Sequence, residues 1–282
     1  MSGVLPYRLL DSGRLRKLEE VGPYRLVRPA LNAFWEPELD AAEWERADGI
    51  FHRDSSGGGR WEWRRSVPPE WRAAWGNFVL TVKPTNFGHL GFFAEQFRNW
   101  AAFEKLLKSW GAEVKALNLF AYSGIGSMAM ARGGAAVCHL DASRGMIEWG
   151  RQNLALNPDV PDRIRWIADD VTKFVKRELR RGSRYRLIAL DPPTFGRGTS
   201  GQVWKIEEDL PRLLAACRDL LESEGPCRVE LSCHSPGFTP RVLERLLRQH
   251  FGTGRIEAGE MSIPESTGRE LPAGVTAGWS RE

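Results

Sequence analysis

Cysteine and histidine are sparse in this chain, and neither is spaced to hold a metal. Cys138, Cys217, Cys227 and Cys233 form no CxxC pair, and the five histidines are scattered, so no metal site is expected. The four thiols read as the reduced cysteines of a cytoplasmic protein. No apolar run approaches the ~18 residues of a membrane span, so no membrane partner is expected. Met1 to Leu10 lacks the basic-then-apolar order of a secretion signal. There is no internal repeat and no low-complexity tract. A formal net charge of +4 permits a polyanionic partner without requiring one.

What is present is ample material for a core. Of 282 residues, 42% are hydrophobic and 27% charged, the composition of a folded globular protein. The length suits a main domain of about 200 residues with an appendage. Six of the 12 tryptophans fall between Trp35 and Trp75. Large rings so concentrated suit the core of a small domain.

The pattern changes along the chain. Up to about residue 85, short alternating runs such as Tyr24-Arg25-Leu26-Val27, Gly49-Ile50-Phe51-His52 and Trp61-Glu62-Trp63 are separated by turn residues, including Ser55-Ser56-Gly57-Gly58-Gly59. These predict short antiparallel strands. Phe78 to Val82 predicts one more. We therefore expect a small, β-rich, Trp-rich N-terminal domain over 1–85.

Over 86–282 strand and helix alternate. Trp100, Phe103, Leu106, Leu107 and Trp110 share a helical face. Strands are expected at Val114 to Leu119, Ala135 to Leu140, Ile164 to Ala168, Tyr185 to Leu190 and Cys227 to Ser232, each followed by a helix. Arg255 to Ile263 and Val275 to Trp279 predict a closing hairpin. The expected fold is α/β: a doubly wound, mostly parallel seven-stranded sheet, Rossmann-like, ending in an antiparallel hairpin.

Such sheets bind ligands beyond the carboxyl ends of their strands. After the first strand comes Phe120-Ala121-Tyr122-Ser123-Gly124-Ile125-Gly126, where glycines let the backbone approach a ligand. After the second comes Asp141, 17 residues past Gly124 and suited to a ribose. Asp169-Asp170 follow the third strand, and one of their carboxylates suits an adenine amino group. Asp191-Pro192-Pro193-Thr194-Phe195 follow the fourth, and Ser232-Cys233-His234-Ser235 the fifth. Taken singly, each has a structural explanation: a turn, a helix N-cap for Asp141 or Asp170, a strand-ending proline pair. Their coincidence on one edge points to a nucleotide-shaped site.

These segments resemble class I S-adenosylmethionine-dependent methyltransferases, over about residues 86 to 280. Asn118-Leu119-Phe120-Ala121-Tyr122-Ser123-Gly124 is similar to the first motif of the RNA methyltransferase branch, which surrounds the methionine part of the cofactor. Asp141-Ala142-Ser143 is similar to the ribose motif, and Asp169-Asp170 to the adenine-side motif. Asp191-Pro192-Pro193-Thr194-Phe195 is similar to the fourth motif, where Asp191 and Pro192 border the cofactor and Pro193 and Phe195 face the substrate. The nearest group is the large-subunit ribosomal RNA cytosine-C5 methyltransferases. Their segment that closes over the cofactor is similar to Gly91-Phe92-Phe93-Ala94-Glu95-Gln96, which implies cofactor contacts from Phe93 and Gln96. Leu271-Pro272-Ala273-Gly274-Val275 is similar too. The chain departs in residues 1–85, which do not match the usual PUA domain. It also reads Ser232-Cys233-His234 where the family tends to Ser-Cys-Ser.

The resemblance implies adenosylmethionine as cofactor, RNA as partner, and a role in rRNA processing. Methylating carbon 5 of cytosine requires a thiolate that adds to carbon 6, with Cys233 the candidate nucleophile and Asp191 holding the base. A small buried hydrophobe is the other reading of Cys233. Exocyclic-amine methylation uses the same acid and proline pair, with the aromatic residue commonly next to the second proline; here Thr194 intervenes. Gly124-Ile125-Gly126-Ser127-Met128-Ala129 also fits G-x-G-x-x-A, which keeps an NAD-binding oxidoreductase open, as does a catalytically silent RNA-binding module. For RNA contact there are two stretches: the basic run from Lys173 to Arg186, and Arg60, Arg64, Arg65 and Arg72 interleaved with Trp61, Trp63, Trp71 and Trp75. Each also reads as an ordinary solvated or packed surface. A homodimer is left open.

Overall fold

Short alternating runs become strands, and helically spaced runs become helices, along nearly the whole chain. The computed structural model describes residues 3–55, 57–111, 114–197 and 203–282; Ser56 of the expected turn lies outside the described residues. The chain forms two compact units, Met1–Phe97 with Ser262–Ala273, and Arg98–Met261 with Gly274–Glu282.

The first unit is β-rich. Strands β1 (Tyr7–Gly13), β2 (Arg16–Val21), β3 (Tyr24–Pro29), β4 (Gly49–Arg53) and β5 (Gly59–Trp63) form one sheet in chain order, with helix α1 (Ala41–Glu45) before β4. β3 and β4 run parallel; the other neighbours are antiparallel. β6 (Trp71–Trp75) and β7 (Phe78–Val82) form a separate ladder. In the tryptophan-arginine interleaving Trp71 is buried and Trp61 and Trp75 half-buried, while Trp63, Arg60, Arg64, Arg65 and Arg72 are exposed. Trp61 stacks on Trp63 at 4.9 Å and donates its indole N–H to the Thr85 carbonyl. Trp71 and Trp75 donate to the carbonyls of Val21 and Ala94. Arg65 pairs with Asp48 and lies over the Tyr24 ring. Trp61, Trp71 and Trp75 thus pair their indole N–H groups with backbone carbonyls of the same unit, the partner an indole taken out of water needs.

The second unit begins within α2 (Phe97–Trp110), whose Trp100, Phe103 and Leu107 recur on one buried face. There follow β8 (Lys115–Leu119), α3 (Ile125–Arg132), β9 (Ala136–Asp141), α4 (Arg144–Ala155), β10 (Ile164–Ala168), α5 (Val171–Arg180) and β11 (Leu187–Leu190). A small ribbon, β12 (Phe195–Arg197) with β13 (Val203–Lys205), precedes α6 (Ile206–Asp219), β14 (Cys227–Cys233), α7 (Pro240–Phe251), β15 (Arg255–Pro264) and β16 (Glu270–Arg281). The seven-stranded sheet has the order β10-β9-β8-β11-β14-β16-β15. Its first five strands are parallel, and β16 runs antiparallel to β14. Leu117, Leu119, Ile188, Leu190, Val229 and Leu231 form the sheet side of the core, with Phe174, Leu210, Leu214, Leu243 and Leu247 packed on them. Strands this apolar on both faces are what a helix-covered parallel sheet requires. Among the described residues no helix is long and apolar enough to cross a membrane.

The basic run after β10 is partly neutralised. Arg177 pairs with Asp169 at 2.7 Å, and Arg181 with the buried Glu178 at 2.9 Å.

Candidate active site

The strand order reverses between β8 and β11, so the crevice at their carboxyl ends is where the fold places a ligand. The chain leaves β8 in a tightly wound loop. Phe120 and Tyr122 have φ of 56° and 51°, and Gly124 has 87°. Left-handed backbone at two non-glycine residues persists only where the surroundings over-determine it. Here they do. Ala121 N–H donates to the Leu140 carbonyl at 3.0 Å, Tyr122 N–H to Asp141 Oδ2 at 3.0 Å, and Asn153 Nδ2 to the Ser123 carbonyl at 3.0 Å.

Glycines let Trp166 pack beneath this loop. A Cβ at Gly150 would lie 2.4 Å from Trp166 Cζ3, and one at Gly124 2.9 Å from Cη2. Alanine for glycine inside a helix ordinarily stabilises by about 0.5–1 kcal/mol. We expect the opposite sign for Gly150→Ala: its urea midpoint falls, because the indole has to move. A midpoint at or above that of the wild type would contradict this packing.

A buried polar chain runs under the first motif. Asn118 Nδ2 donates to Ser127 Oγ at 3.0 Å, and Ser127 Oγ is hydrogen-bonded to His139 Nδ1 at 2.9 Å. Burial lowers the His139 pKa to about 3, so the ring is neutral, and it lies 4.5 Å from the Trp166 ring. With its amide nitrogen committed to Ser127, Asn118 keeps its carbonyl oxygen as an acceptor.

Asp141 ends β9. Its Oδ2 accepts from Tyr122 N–H and its Oδ1 from Ser143 N–H at 2.8 Å, so the carboxylate ties the glycine loop to the start of α4. Burial raises its pKa, against the lowering effect of those two donors. Each oxygen retains a lone pair for a further donor. Ala142 and Ser143 follow, exposed, with Ser143 capping α4. Beyond β10, Asp169 donates its N–H to the Asp141 carbonyl at 3.1 Å and binds Arg177 with its side chain. Asp170 caps α5, accepting from Lys173 N–H at 2.9 Å.

Beyond β11, the Asp191 loop is held at three points. Trp204 Nε1 donates to the Pro193 carbonyl at 2.7 Å, Ile206 N–H donates to the Thr194 carbonyl at 3.1 Å, and Thr194 Oγ1 lies 2.6 Å from Ser235 Oγ. Asp191 itself is half-buried, with His234 Nε2 3.5 Å from its Oδ2. Pro192 is buried, while Phe195 is 54% exposed.

Cys233 differs from its expected place. It is not beyond the strand but the last residue of β14, paired with Val275. Its side chain joins the apolar core at 1% exposure. Burial pushes the thiol pKa up, and the charge of Asp191 adds to the rise. An activated thiol needs the opposite, since the thiolate is the nucleophile. The other three cysteines are buried free thiols, in keeping with the reduced state expected of all four.

Residues 94–249, more than half of the chain, match the family model described as S-adenosylmethionine-dependent methyltransferase. The chain belongs to that family. The crystal structure of the SAM-dependent methyltransferase from Agrobacterium tumefaciens matches with a TM-score of 0.92 and 34% identity, over 100% of this chain and 92% of that one. Ribosomal RNA large subunit methyltransferase K of Neisseria meningitidis serogroup B is 28% identical over 151 residues, 53% of this chain and 41% of that protein. Methyltransferase K/L of Syntrophotalea carbinolica is 35% identical over 111 residues, 39% of this chain and 15% of that protein. The matches thus span less than half the length of these curated relatives.

S-adenosylmethionine is therefore the cofactor of this methyltransferase, and the chain is an enzyme. The NAD-binding and silent-module alternatives give way. Four residues, Phe120 to Ser123, stand between β8 and Gly124, and they wind the loop in a way a direct strand-to-glycine turn would not. A Cβ at Gly126, in the first turn of α3, would lie 3.2 Å from Asn118 Nδ2, so a larger residue there would press on the asparagine near the end of β8.

The second unit brings Asn118 to Gly124, Asp141 to Ser143, Asp169, Asp170 and Asp191 to Phe195 to the carboxyl ends of adjacent strands. Phe93 and Gln96 belong to the other unit, where Phe93 precedes a single 3-10 turn, Ala94–Gln96. Trp204, Asn153, Gly150 and the Ser127–His139 pair were missed in the sequence. Of these, only His139, a polar residue inside an apolar strand, left a signal.

Proposed function

We propose that this methyltransferase modifies a nucleobase of RNA, with ribosomal RNA the favoured substrate, at a nitrogen rather than at carbon 5. The observation that carries the choice of atom is the burial of Cys233 beside an Asp191 loop that is itself open and rigidly held. The ribosomal RNA methyltransferase names of the matching curated proteins support the substrate class.

In this proposal Asn118 and the Phe120–Gly124 loop, including Ala121, Tyr122 and Ser123, hold the methionine end of the cofactor. Asp141, with Ala142 and Ser143, holds the ribose, and Asp169 and Asp170 border the adenine. Phe93 and Gln96 are assigned to the cofactor by the family resemblance alone, and Pro192 lines its methyl side. Bound adenosylmethionine supplies an electrophilic methyl group. Asp191 accepts a hydrogen bond from the acceptor amine and so fixes where the nitrogen lone pair points, which is the positioning such a transfer needs. Pro193 and Phe195 face the base, Phe195 as a stacking surface. The Asp191–His234 pair receives the proton that the amine loses. Residues 1–85, a separate small domain in this reading, capture the substrate.

The test is nucleoside mass spectrometry of RNA incubated with enzyme and labelled adenosylmethionine. A label on an N-methylated nucleoside is expected. A 5-methylcytidine product would restore the carbon-5 reading, and an unlabelled RNA pool, ribosomal RNA included, would remove RNA as the substrate.

A further inference from the structure

The first unit contains a cavity of about 250 Å³, lined among others by Lys17, Arg28, Arg53, Phe51, Phe87 and Glu95. That is below the ~300–1,000 Å³ of pockets for drug-sized ligands, and suits one flat ring with its substituent.

Phe87 stands at its edge, 61% exposed. Its position is set by a short stiff turn. Thr85 N–H donates to the His89 carbonyl and Gly88 N–H to the Thr85 carbonyl, both at 3.0 Å. The Thr85 hydroxyl accepts from the N–H groups of Phe87 and His89. Gly88 has φ of 75°, and a Cβ there would lie 2.7 Å from the Phe51 ring. Arg28 Nη1 fastens the turn by donating to the Gly88 carbonyl at 2.8 Å. A turn held by this many bonds fixes the backbone from which the ring projects, so only the side chain has still to be ordered when something stacks on it.

The charges divide into spent and unspent. Glu19 is fully buried and accepts both Arg28 Nε and Arg28 Nη2, at 2.7 and 2.8 Å, with Lys17 3.0 Å away. Burial alone would raise its pKa, but Arg28 and Lys17 outweigh burial and bring it down to about 2. Those two cations are therefore occupied. Arg53, at the exposed end of β4, has no side-chain partner among the described residues. The lining thus offers one uncommitted guanidinium beside an exposed ring.

We propose that this crevice binds one unstacked nucleotide of single-stranded RNA, its base against Phe87 and its phosphate on Arg53. An aromatic platform next to a cation is how proteins hold single strands without reading sequence. The proposal rests on RNA being the substrate class.

Fluorescence anisotropy of the full chain with a short labelled single-stranded oligoribonucleotide tests it. Phe87→Ala and Arg53→Ala are each expected to weaken binding by about 5- to 100-fold. Phe87→Tyr retains the affinity because the ring is kept. Arg53→Ala also lowers the salt slope by about one counterion. Adenosylmethionine affinity and melting temperature stay unchanged in all three. Wild-type RNA affinity in Phe87→Ala overturns the proposal, and so does a parallel loss of cofactor affinity, which would give the crevice to the cofactor. RNA that the wild type methylates, and Phe87→Ala binds equally well, removes the crevice but leaves the proposed function standing. RNA neither bound nor methylated by the wild type removes both.

Discussion

Alanine at position 191 is expected to slow methyl transfer by on the order of 10²–10³-fold, while alanine at position 233 leaves the rate nearly unchanged. The contrast follows from where the two side chains lie. Asp191 sits at the end of β11, half-buried, on a loop fastened by Trp204, Ile206 and Ser235. In our proposal, removing its carboxylate removes the acceptor that orients the amine, without loosening those fastenings. Cys233 contributes its sulfur to the core, where Ser235 N–H donates to it at 3.4 Å. Its loss costs packing, on the order of 1 kcal/mol of stability, and not chemistry. Single-turnover transfer from labelled adenosylmethionine, measured well below each variant's melting temperature, separates the two effects. A folded but inactive Cys233→Ala enzyme would return the nucleophile role to the thiol.

Asp141→Ala should weaken adenosylmethionine binding by about 1–3 kcal/mol, or roughly 5- to 150-fold. The carboxylate acts twice. In our proposal it accepts the ribose hydroxyls, and in the structure it accepts the N–H groups of Tyr122 and Ser143. Asp141→Asn is expected to do no better than alanine. An amide turns one acceptor into a donor, and that donor would face a backbone N–H whichever way the group is flipped. The same logic gives a pH dependence. Burial raises the Asp141 pKa, so protonation, and loss of cofactor affinity, begin at a higher pH than for an exposed aspartate as the solution is acidified. Calorimetry across that range tests both points; an Asp141→Ala variant with wild-type affinity would take Asp141 out of the site.

How much of this was readable beforehand depends on length and period. The alternation from β8 to α7 was legible because each element is long enough to show its repeat, as with Trp100, Phe103 and Leu107 on α2. The acids were legible because they stand directly after apolar strands. The β12–β13 ribbon was not, since three-residue strands carry no period, and with it the grip of Trp204 on Pro193 was lost from view. Cys233 turned on a single residue. With β14 ending at Ser232, the thiol would stand in the crevice; with one more pair, Cys233 to Val275, it turns into the core. Whether this last residue is part of the paired strand or of the loop beyond it rests on one ladder pair, which the sequence does not mark. Gly150 and Trp166 meet only in three dimensions, and no local pattern announces them.

The uncharged imidazole under the glycine loop has an enzymological consequence. His139 does not ionise until about pH 3, so the scaffold supporting Asn118 holds one electrostatic state throughout the working range. An inflection of the rate–pH curve near neutrality therefore does not arise from this imidazole.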